Sequence, residues 1–205
     1  MIIDIEFTER YPTACVLMLT VPSIKRVERQ NDDLELEKRR VEKEIRKNYA
    51  QLDHDRIQAY QKFYKSLGIP DSHMKSQIKS IVRGKQMPVI NTLVDSVFLP
   101  ELANCILMGA HDMSKITGNI TLTISKGDRY VGIGNRELSV PAGDIILKDD
   151  YGVIASVTMG PCERTKLVNN TKDTKVFAFV VPGIAEEDGL KAIGDCEHYI
   201  TRFCC

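Results

Sequence analysis

The chain has 205 residues, a length that suits one domain with an appended segment or two small domains. Its 28 Lys and Arg residues balance 28 Asp and Glu residues, so the formal net charge is +0. This balance argues against general nucleic-acid binding, because neutralising phosphates requires an excess of positive charge. It is still compatible with a local basic groove that contacts one end of an RNA.

Cysteine usage and the N-terminus indicate the compartment. The six cysteines lack the spacing of a zinc or redox site, so we expect free thiols, a reducing environment, and neither a metal nor a cofactor. The start from Met1 to Glu6 is acidic where a signal peptide is basic, and the apolar run from Ala14 to Val21 is too short to span a bilayer. The sequence therefore predicts a cytoplasmic protein without a membrane partner.

The first residues show short stretches that are either apolar throughout or alternate between apolar and polar residues. This pattern predicts two strands at about 2–7 and 14–21. Pro22 and Ser23 follow with the pattern of a helix start, in which a proline stands beside a serine cap. The expected order at the N-terminus is thus strand, strand, helix.

A strongly charged segment extends from Ser23 to Ser66, with apolar residues at helical spacing. It predicts one long helix or two helices, broken near residues 31–32 or near residues 53–54. An amphipathic helix packed on the core and an RNA-contacting helix are both compatible with this pattern, and interleaved glutamates favour the first. The same segment offers a surface for a homo-oligomer.

Shorter helices and then strands make up the rest of the chain. Helices are predicted at about 73–83, 91–104 and 187–203 from the residues at their ends. Short β-rich runs separated by turn residues follow Gly118, at residues 120–124, 129–133, 137–140, 144–147, 153–157 and 175–181. Helices followed by strands predict an α+β fold with a mostly antiparallel sheet.

Three polar spots stand out in apolar surroundings, in a sequence without a phosphate-binding loop, a nucleophile elbow or a metallohydrolase helix. Asn91 opens an apolar helix, His111 lies in a short apolar run, and a third spot after Gly160 contains Glu163 and Arg164. Each spot has a structural alternative. These are a helix cap at Asn91, a buried structural histidine, and a surface salt bridge between Glu163 and Arg164.

These spots, in this order, resemble a family of free-standing proteins built on the tRNA-editing domain of the phenylalanyl-tRNA synthetase β chain. The resemblance covers roughly residues 55–185. Its motifs are Ile90-Asn91-Thr92-Leu93-Val94-Asp95, Gly109-Ala110-His111-Asp112 with Ile116-Thr117-Gly118, Gly132-Ile133-Gly134 with Pro141-Ala142-Gly143-Asp144, and Cys162-Glu163-Arg164-Thr165. It implies a single α+β domain with a sandwich-like sheet. The predicted elements divide this domain into N-terminal strands and a charged helix at residues 1–66, the core at 67–185 and a closing helix at 186–205.

The resemblance also implies a chemistry. In the bacterial synthetase this domain hydrolyses tyrosine wrongly attached to the phenylalanine tRNA. An asparagine matching Asn91 lines that pocket and a glutamate matching Glu163 recognises the tyrosine hydroxyl; both are present here. The synthetase has a histidine where this chain has Gly109, and an aromatic residue where it has His111, so tyrosine specificity does not transfer directly.

The resemblance and the chemistry of the ester together give the expected roles of the residues. An aminoacyl ester is already activated, so its hydrolysis needs a positioned water, donors for the oxyanion and shelter for the side chain. The expected catalytic residues are Asn91 and Glu163, the substrate-binding residues are Gly109, His111, Gly160, Arg164 and Thr165, and the RNA-binding residues are Lys75, Lys79, Arg83, Lys85 and Lys166. The predicted function is hydrolysis of mischarged tRNA in trans. A non-catalytic tRNA-binding module and a binding protein for an amino acid or small molecule are the alternatives.

Overall fold

A computed structural model describes residues 1–49, 51–52 and 54–205. Its helices are α1 (Ile5–Arg10), α2 (Asp32–Asn48), α3 (Asp55–Ser66), α4 (His73–Val82), α5 (Thr92–Asn104) and α6 (Glu186–Cys204). Its strands are β1 (Ile2–Ile3), β2 (Cys15–Val21), β3 (Met108–Asp112), β4 (Thr121–Ile124), β5 (Arg129–Gly132), β6 (Arg136–Ser139), β7 (Ile145–Lys148), β8 (Val153–Ser156), β9 (Gly160–Pro161) and β10 (Thr174–Val180).

The strands form two sheets and a hairpin. One sheet has five strands in the order β1-β4-β7-β8-β9, the second has three in the order β2-β10-β3, and β5 pairs with β6. Among the described strands, β1 and β4 pair in parallel and the other pairs are antiparallel. The predicted α+β fold with mostly antiparallel sheets is therefore confirmed.

Two buried tyrosines of α3 tie the helical layer to both sheets. Tyr60 Oη donates to the carbonyl of Phe179 and accepts the N–H of Leu107 at 2.9 Å. Tyr64 Oη donates to the carbonyl of Val157, just beyond β8, at 2.6 Å. Because a buried phenol must find a hydrogen-bond partner, these bonds fix the position of α3 against the strands.

The charged N-terminal segment forms two helices, one of the two predicted arrangements. Helix α2 begins where the side chain of Asn31 accepts the N–H of Leu34 at 3.1 Å. Helix α3 is capped by His54, and the predicted break at Asp53 lies outside the described residues. Helix α2 buries one apolar face against the core, as an amphipathic element does.

The strand predicted at residues 2–7 is wrong beyond Ile3. The side chain of Asp4 accepts the N–H of Glu6 at 3.2 Å and thereby caps helix α1. Local capping overrides the apolar alternation that suggested a strand. The second predicted strand, at residues 14–21, is confirmed as β2.

The helix start predicted at Pro22 and Ser23 is also wrong. Ser23 has a φ of +62°, which a right-handed helix does not accommodate. The N–H of Ile24, next along the chain, donates to the carbonyl of Lys172 at 2.7 Å. Tertiary pairing with a distant segment therefore delays the helix until α2.

The sequence does not predict strands β3 and β9. Strand β3 pairs with β10, and the two-residue β9 pairs with β8. Both contain glycine, which weakens the strand signal in the sequence. The remaining predicted helices and strands are present with small shifts at their ends. In the described ranges, no helix is long and apolar enough to cross a membrane.

Candidate functional site

A cleft of about 620 Å³ lies between helices α4 and α5 and the strands β3, β8 and β9. Apolar side chains and backbone atoms make up most of its lining. The lining residues are His73, Gln77, Ile90, Val94, Val97, Phe98, Glu101, Leu107, Met108, Gly109, Ala110, Ile133, Ala155, Ser156, Val157, Met159, Gly160, Pro161, Lys166, Leu167 and Phe179. A concave, mostly apolar space with a few polar groups is the usual form of a small-ligand site.

Gly109 keeps the β3 wall of the cleft open. A Cβ at this position would lie 3.4 Å from Nε2 of His111 and 3.5 Å from the ring of Phe179. One methyl would therefore make ordinary contacts, whereas a longer side chain would crowd these two buried neighbours. The predicted substrate-binding residue Gly109 thus lies in the wall itself.

Gly160 supplies backbone to another part of the cleft wall, from β9. Its φ of +82° is a conformation that favours glycine. The carbonyl of Gly160 accepts a hydrogen bond from Tyr130 Oη, which fixes this turn. The second predicted substrate-binding glycine therefore also lies in the cleft wall.

His111 lies behind the β3 wall and is completely buried. Its Nδ1 is 2.7 Å from Oγ1 of Thr165, and that oxygen is 3.0 Å from Sγ of Cys162. Its Nε2 has no hydrogen-bond partner among the described residues. Burial, followed by the charge of Arg164, lowers the pKa of His111 to about 4, so the ring is neutral near pH 7. His111 and Thr165 form a buried chain beside the cleft rather than part of its lining.

Glu163 lies outside the cleft lining and is already paired. One carboxylate oxygen accepts the N–H of Gly134 at 2.8 Å, and the other forms an ion pair with Lys166. The bond from Lys166, and then that from Gly134, lowers the pKa of Glu163 below its usual value. Because Lys166 does line the cleft, Glu163 holds a cationic side chain in place there.

Arg164 is also engaged outside the cleft. Its guanidinium donates to the carbonyl of Lys115 at 2.6 Å and to Oδ1 of Asp149 at 2.7 Å, and it lies 4.6 Å from the centre of the Tyr151 ring. Its ion-pair partner is Asp149. The salt bridge with Glu163, given above as the structural alternative for this spot, is not formed. This arginine joins the segment after β9 to the segments that follow β3 and β7.

Asn91 caps helix α5, which is the structural role given above as the alternative to a functional one. Its Oδ1 accepts the N–H of Val94 at 2.9 Å, and its Nδ2 donates to Oδ1 of Asn169 at 3.3 Å. Ile90 and Val94 line the cleft, whereas Asn91 is not part of the lining. Its side chain therefore fixes the start of the helix that forms one wall.

The predicted RNA-binding residues lie mainly on α4 and the loop after it. The exposed members are Lys79, Arg83 and Lys85. Lys75 is half-buried and pairs with Asp71 at 2.9 Å. The same helix presents His73 and Gln77 to the cleft, so basic side chains flank the wall that contains them.

Sequence reasoning missed Glu101, which lines the cleft from α5 and is 7% exposed. Its Oε2 accepts the N–H of Met108 at 3.0 Å, and Gln77 is a second polar side chain in the cleft lining. Burial raises the pKa of Glu101 to about 8, against the lowering effects of the Met108 N–H and the Gln77 side chain. The signal in the sequence was an isolated carboxylate in the apolar run of α5.

Ser156 brings a hydroxyl to the cleft, but this hydroxyl is engaged. Its Oγ donates to Oδ2 of Asp144, an oxygen that also accepts the N–H of Thr158 at 3.1 Å. Asp144 is fully buried, and burial raises its pKa.

In the described ranges, no group of three or more His, Cys, Asp or Glu residues is placed to hold a metal ion. The arrangement favours binding and positioning over attack by a side-chain nucleophile.

The fold and the cleft together define a class of protein. The family described as the B3/4 domain matches residues 58–188, a range that contains every residue of the cleft lining. The chain belongs to this family.

More particularly, the chain is related to the β chain of phenylalanyl-tRNA synthetase, as the sequence motifs suggested. It is 28% identical over 105 residues to the phenylalanine–tRNA ligase beta subunit of Mycoplasma genitalium, covering 51% of this chain and 13% of that subunit. The Mycoplasma pneumoniae subunit is 25% identical over 103 residues, covering 50% of this chain and 13% of the subunit. The match spans a small part of these relatives.

A solved structure shares the fold. The N-terminal fragment of the phenylalanyl-tRNA synthetase β subunit from Pyrococcus horikoshii superposes with a TM-score of 0.50 at 13% identity. The superposition covers 98% of this chain and 48% of that fragment. At this identity the likeness concerns the fold.

Proposed function

We propose that this protein binds the aminoacyl end of a mischarged tRNA in the cleft and hydrolyses its ester bond. The cleft itself carries the proposal. It is an apolar space of about 620 Å³, flanked by a basic helix and lined wholly by residues of the B3/4 match. A space of this size accommodates one amino-acid side chain with part of the terminal ribose.

The proposed chemistry relies on position. An aminoacyl ester needs a water held against its carbonyl and donors for the developing oxyanion, and no side-chain nucleophile is required. We assign the oxyanion to backbone N–H groups near Gly109 and Gly160, which border the cleft. Asn91 and Glu163 act as positioning residues, since Asn91 fixes the start of α5 and Glu163 holds Lys166.

The proposed tRNA contact lies along helix α4. Lys79 is exposed on this helix and Arg83 is exposed just beyond its end. The helix also forms part of the cleft wall through His73 and Gln77. Phosphates of the acceptor end would lie along this basic side while the ester enters the cleft. Such contacts position a nucleic acid without specifying its sequence.

The test is to incubate the protein with a panel of mischarged tRNAs and follow the loss of the ester bond. Gly109→Val adds bulk in the wall of the cleft, at a strand position that suits a β-branched residue, so we expect at least a tenfold lower rate. Gly194→Ala on α6 is the matched control, because a Cβ there meets nothing within 4 Å. No turnover on any tRNA, or full turnover in Gly109→Val, would overturn the proposal.

Binding of a free amino acid is a second candidate. It is favoured by the neutral net charge and by the buried carboxyl of Glu101 in the cleft. A rise in melting temperature with an amino acid, without ester loss from any tRNA, would support this candidate. Retention of tRNA on a filter, again without ester loss, would indicate the tRNA-binding module instead.

A further inference from the structure

The cleft contains a buried carboxyl group without a cationic partner. Glu101 is 7% exposed, and no lysine, arginine or histidine in the described part of the chain forms an ion pair with it. An ionised carboxylate has about four lone-pair positions, and one hydrogen bond is made to this group, from the N–H of Met108 at 3.0 Å. Acceptor capacity therefore remains unused at a cleft-lining position.

A second acceptor lies beside it. Oε1 of Gln77 is buried and has no hydrogen-bond partner among the described residues, and Gln77 also lines the cleft. A buried polar atom without a partner costs free energy, so such an atom in a cleft marks a place where a ligand donor fits. Glu101 and Gln77 together form an acceptor pair, which needs a ligand with more than one N–H.

We infer that the acceptor pair, Glu101 with Gln77, binds the α-ammonium group of the aminoacyl substrate. This inference rests on the proposed function, and it names the free α-ammonium group as the part of the substrate that the cleft recognises. An ammonium group offers three donors and a positive charge, which together match one carboxylate and one amide oxygen. An amino acid whose nitrogen is acylated has lost that charge.

The proton balance of this binding step is simple. Burial keeps the empty Glu101 carboxyl protonated at neutral pH, since its pKa is raised to about 8. When the ammonium enters, the carboxyl releases its proton to solvent and becomes the counter-ion of the ammonium. No bond of the substrate changes in this step; hydrolysis of the ester follows separately.

A purely structural role for Glu101 is the competing explanation. Its bond to Met108 N–H joins α5 to the start of β3, so removal of the side chain would disturb the wall. Glu101→Gln separates the two roles. The glutamine keeps the shape and an oxygen that accepts this N–H, but it cannot become an anion.

The experiment compares each active aminoacyl-tRNA with its N-acetylated form, using the wild-type protein and Glu101→Gln. The wild type is expected to hydrolyse the free-amine form at least about tenfold faster, the usual scale of a hydrogen bond to a charged group. Glu101→Gln is expected to lose this preference because its rate on the free-amine form falls toward the rate on the N-acetylated form. Glu197→Gln, an exposed change on α6, is the matched control.

A second measurement keeps the inference testable if no tRNA is hydrolysed. Thermal shifts are recorded with a panel of amino-acid amides and with their N-acetylated counterparts. Stabilisation by the amides alone, lost in Glu101→Gln, supports ammonium recognition even where the proposed hydrolysis fails. Equal rates on both tRNA forms, an unchanged preference in Glu101→Gln, or the lack of any amide-specific shift in a protein without activity would overturn the inference.

Discussion

Nζ of Lys38 lies 2.9 Å from Oδ2 of Asp95, and both side chains are almost completely buried. The same ammonium donates to Glu35 and to the carbonyl of Pro88, and Asp95 accepts the N–H of Ile90 at 3.2 Å. This network joins helix α2 to α5 and to the segment before it, where one wall of the cleft begins. The charged helix that the sequence placed outside the family resemblance thus supports the candidate site.

Replacing Lys38 with methionine should lower the free energy of unfolding by about 3–5 kcal/mol, because Asp95 is left charged and buried without its partner. Urea unfolding measures this loss. Lys43→Met, an exposed change on the same helix, should have little effect. The double variant Lys38→Met with Asp95→Leu should recover much of the loss; failure to do so would mean that the pair itself is strongly stabilising.

The cap at Asn91 gives a smaller and more specific effect. Asn91→Ala removes the acceptor of the Val94 N–H and should cost about 1 kcal/mol of stability. Asn91→Asp retains an acceptor at this position and should be close to the wild type. Equal stability of Asn91→Ala and the wild type in urea would contradict the capping role.

His111 predicts how stability depends on acid. Its pKa is about 4 in the folded protein and near 6.5 when unfolded, so the unfolded chain binds the extra proton between these values. Stability should therefore be fully present above about pH 6.5 and fall toward pH 4, by roughly 3 kcal/mol from this residue alone. Arg164 and Asp149 are the charged groups that affect this ring.

The measurement is urea unfolding at several pH values, for the wild type and for His111→Gln. The variant has no proton to gain at this position, so its stability should fall less between pH 6.5 and pH 4. The two proteins are compared by the slope of unfolding free energy against pH. A loss of stability that the substitution causes at every pH does not change this slope. Parallel curves for the two proteins would show that His111 does not titrate in this range.

The basic side of α4 predicts a salt effect. If Lys79 and Arg83 each contact one phosphate, the double alanine variant should show a shallower dependence of log affinity on log salt, by about 1.4 for a single strand. Filter binding between low and moderate salt measures the slope. Lys25→Ala, at an exposed position away from α4, is the control. An unchanged slope in the double variant would place the phosphates elsewhere.

Much of the fold follows from short-range signals in the sequence. The start of α5 at Asn91 and the β-rich second half were predicted, because caps, turn residues and periodicity act over a few residues. The wrong or missing predictions fall where contacts with distant segments determine the local structure. The segment after Ser23 pairs with Lys172, and β3 is a strand because β10 lies beside it.

The candidate site divides in the same way. The sequence by itself determined the order of the elements, the α+β class, the family resemblance, and the presence of Gly109 and Gly160 in one region. Only the tertiary structure decided which carboxylate faces the cleft. Glu163 is held by Gly134 and Lys166 outside the lining, while the packing of α5 turns Glu101 inward. Side-chain direction depends on contacts between segments far apart in the chain, and local sequence patterns do not contain that information.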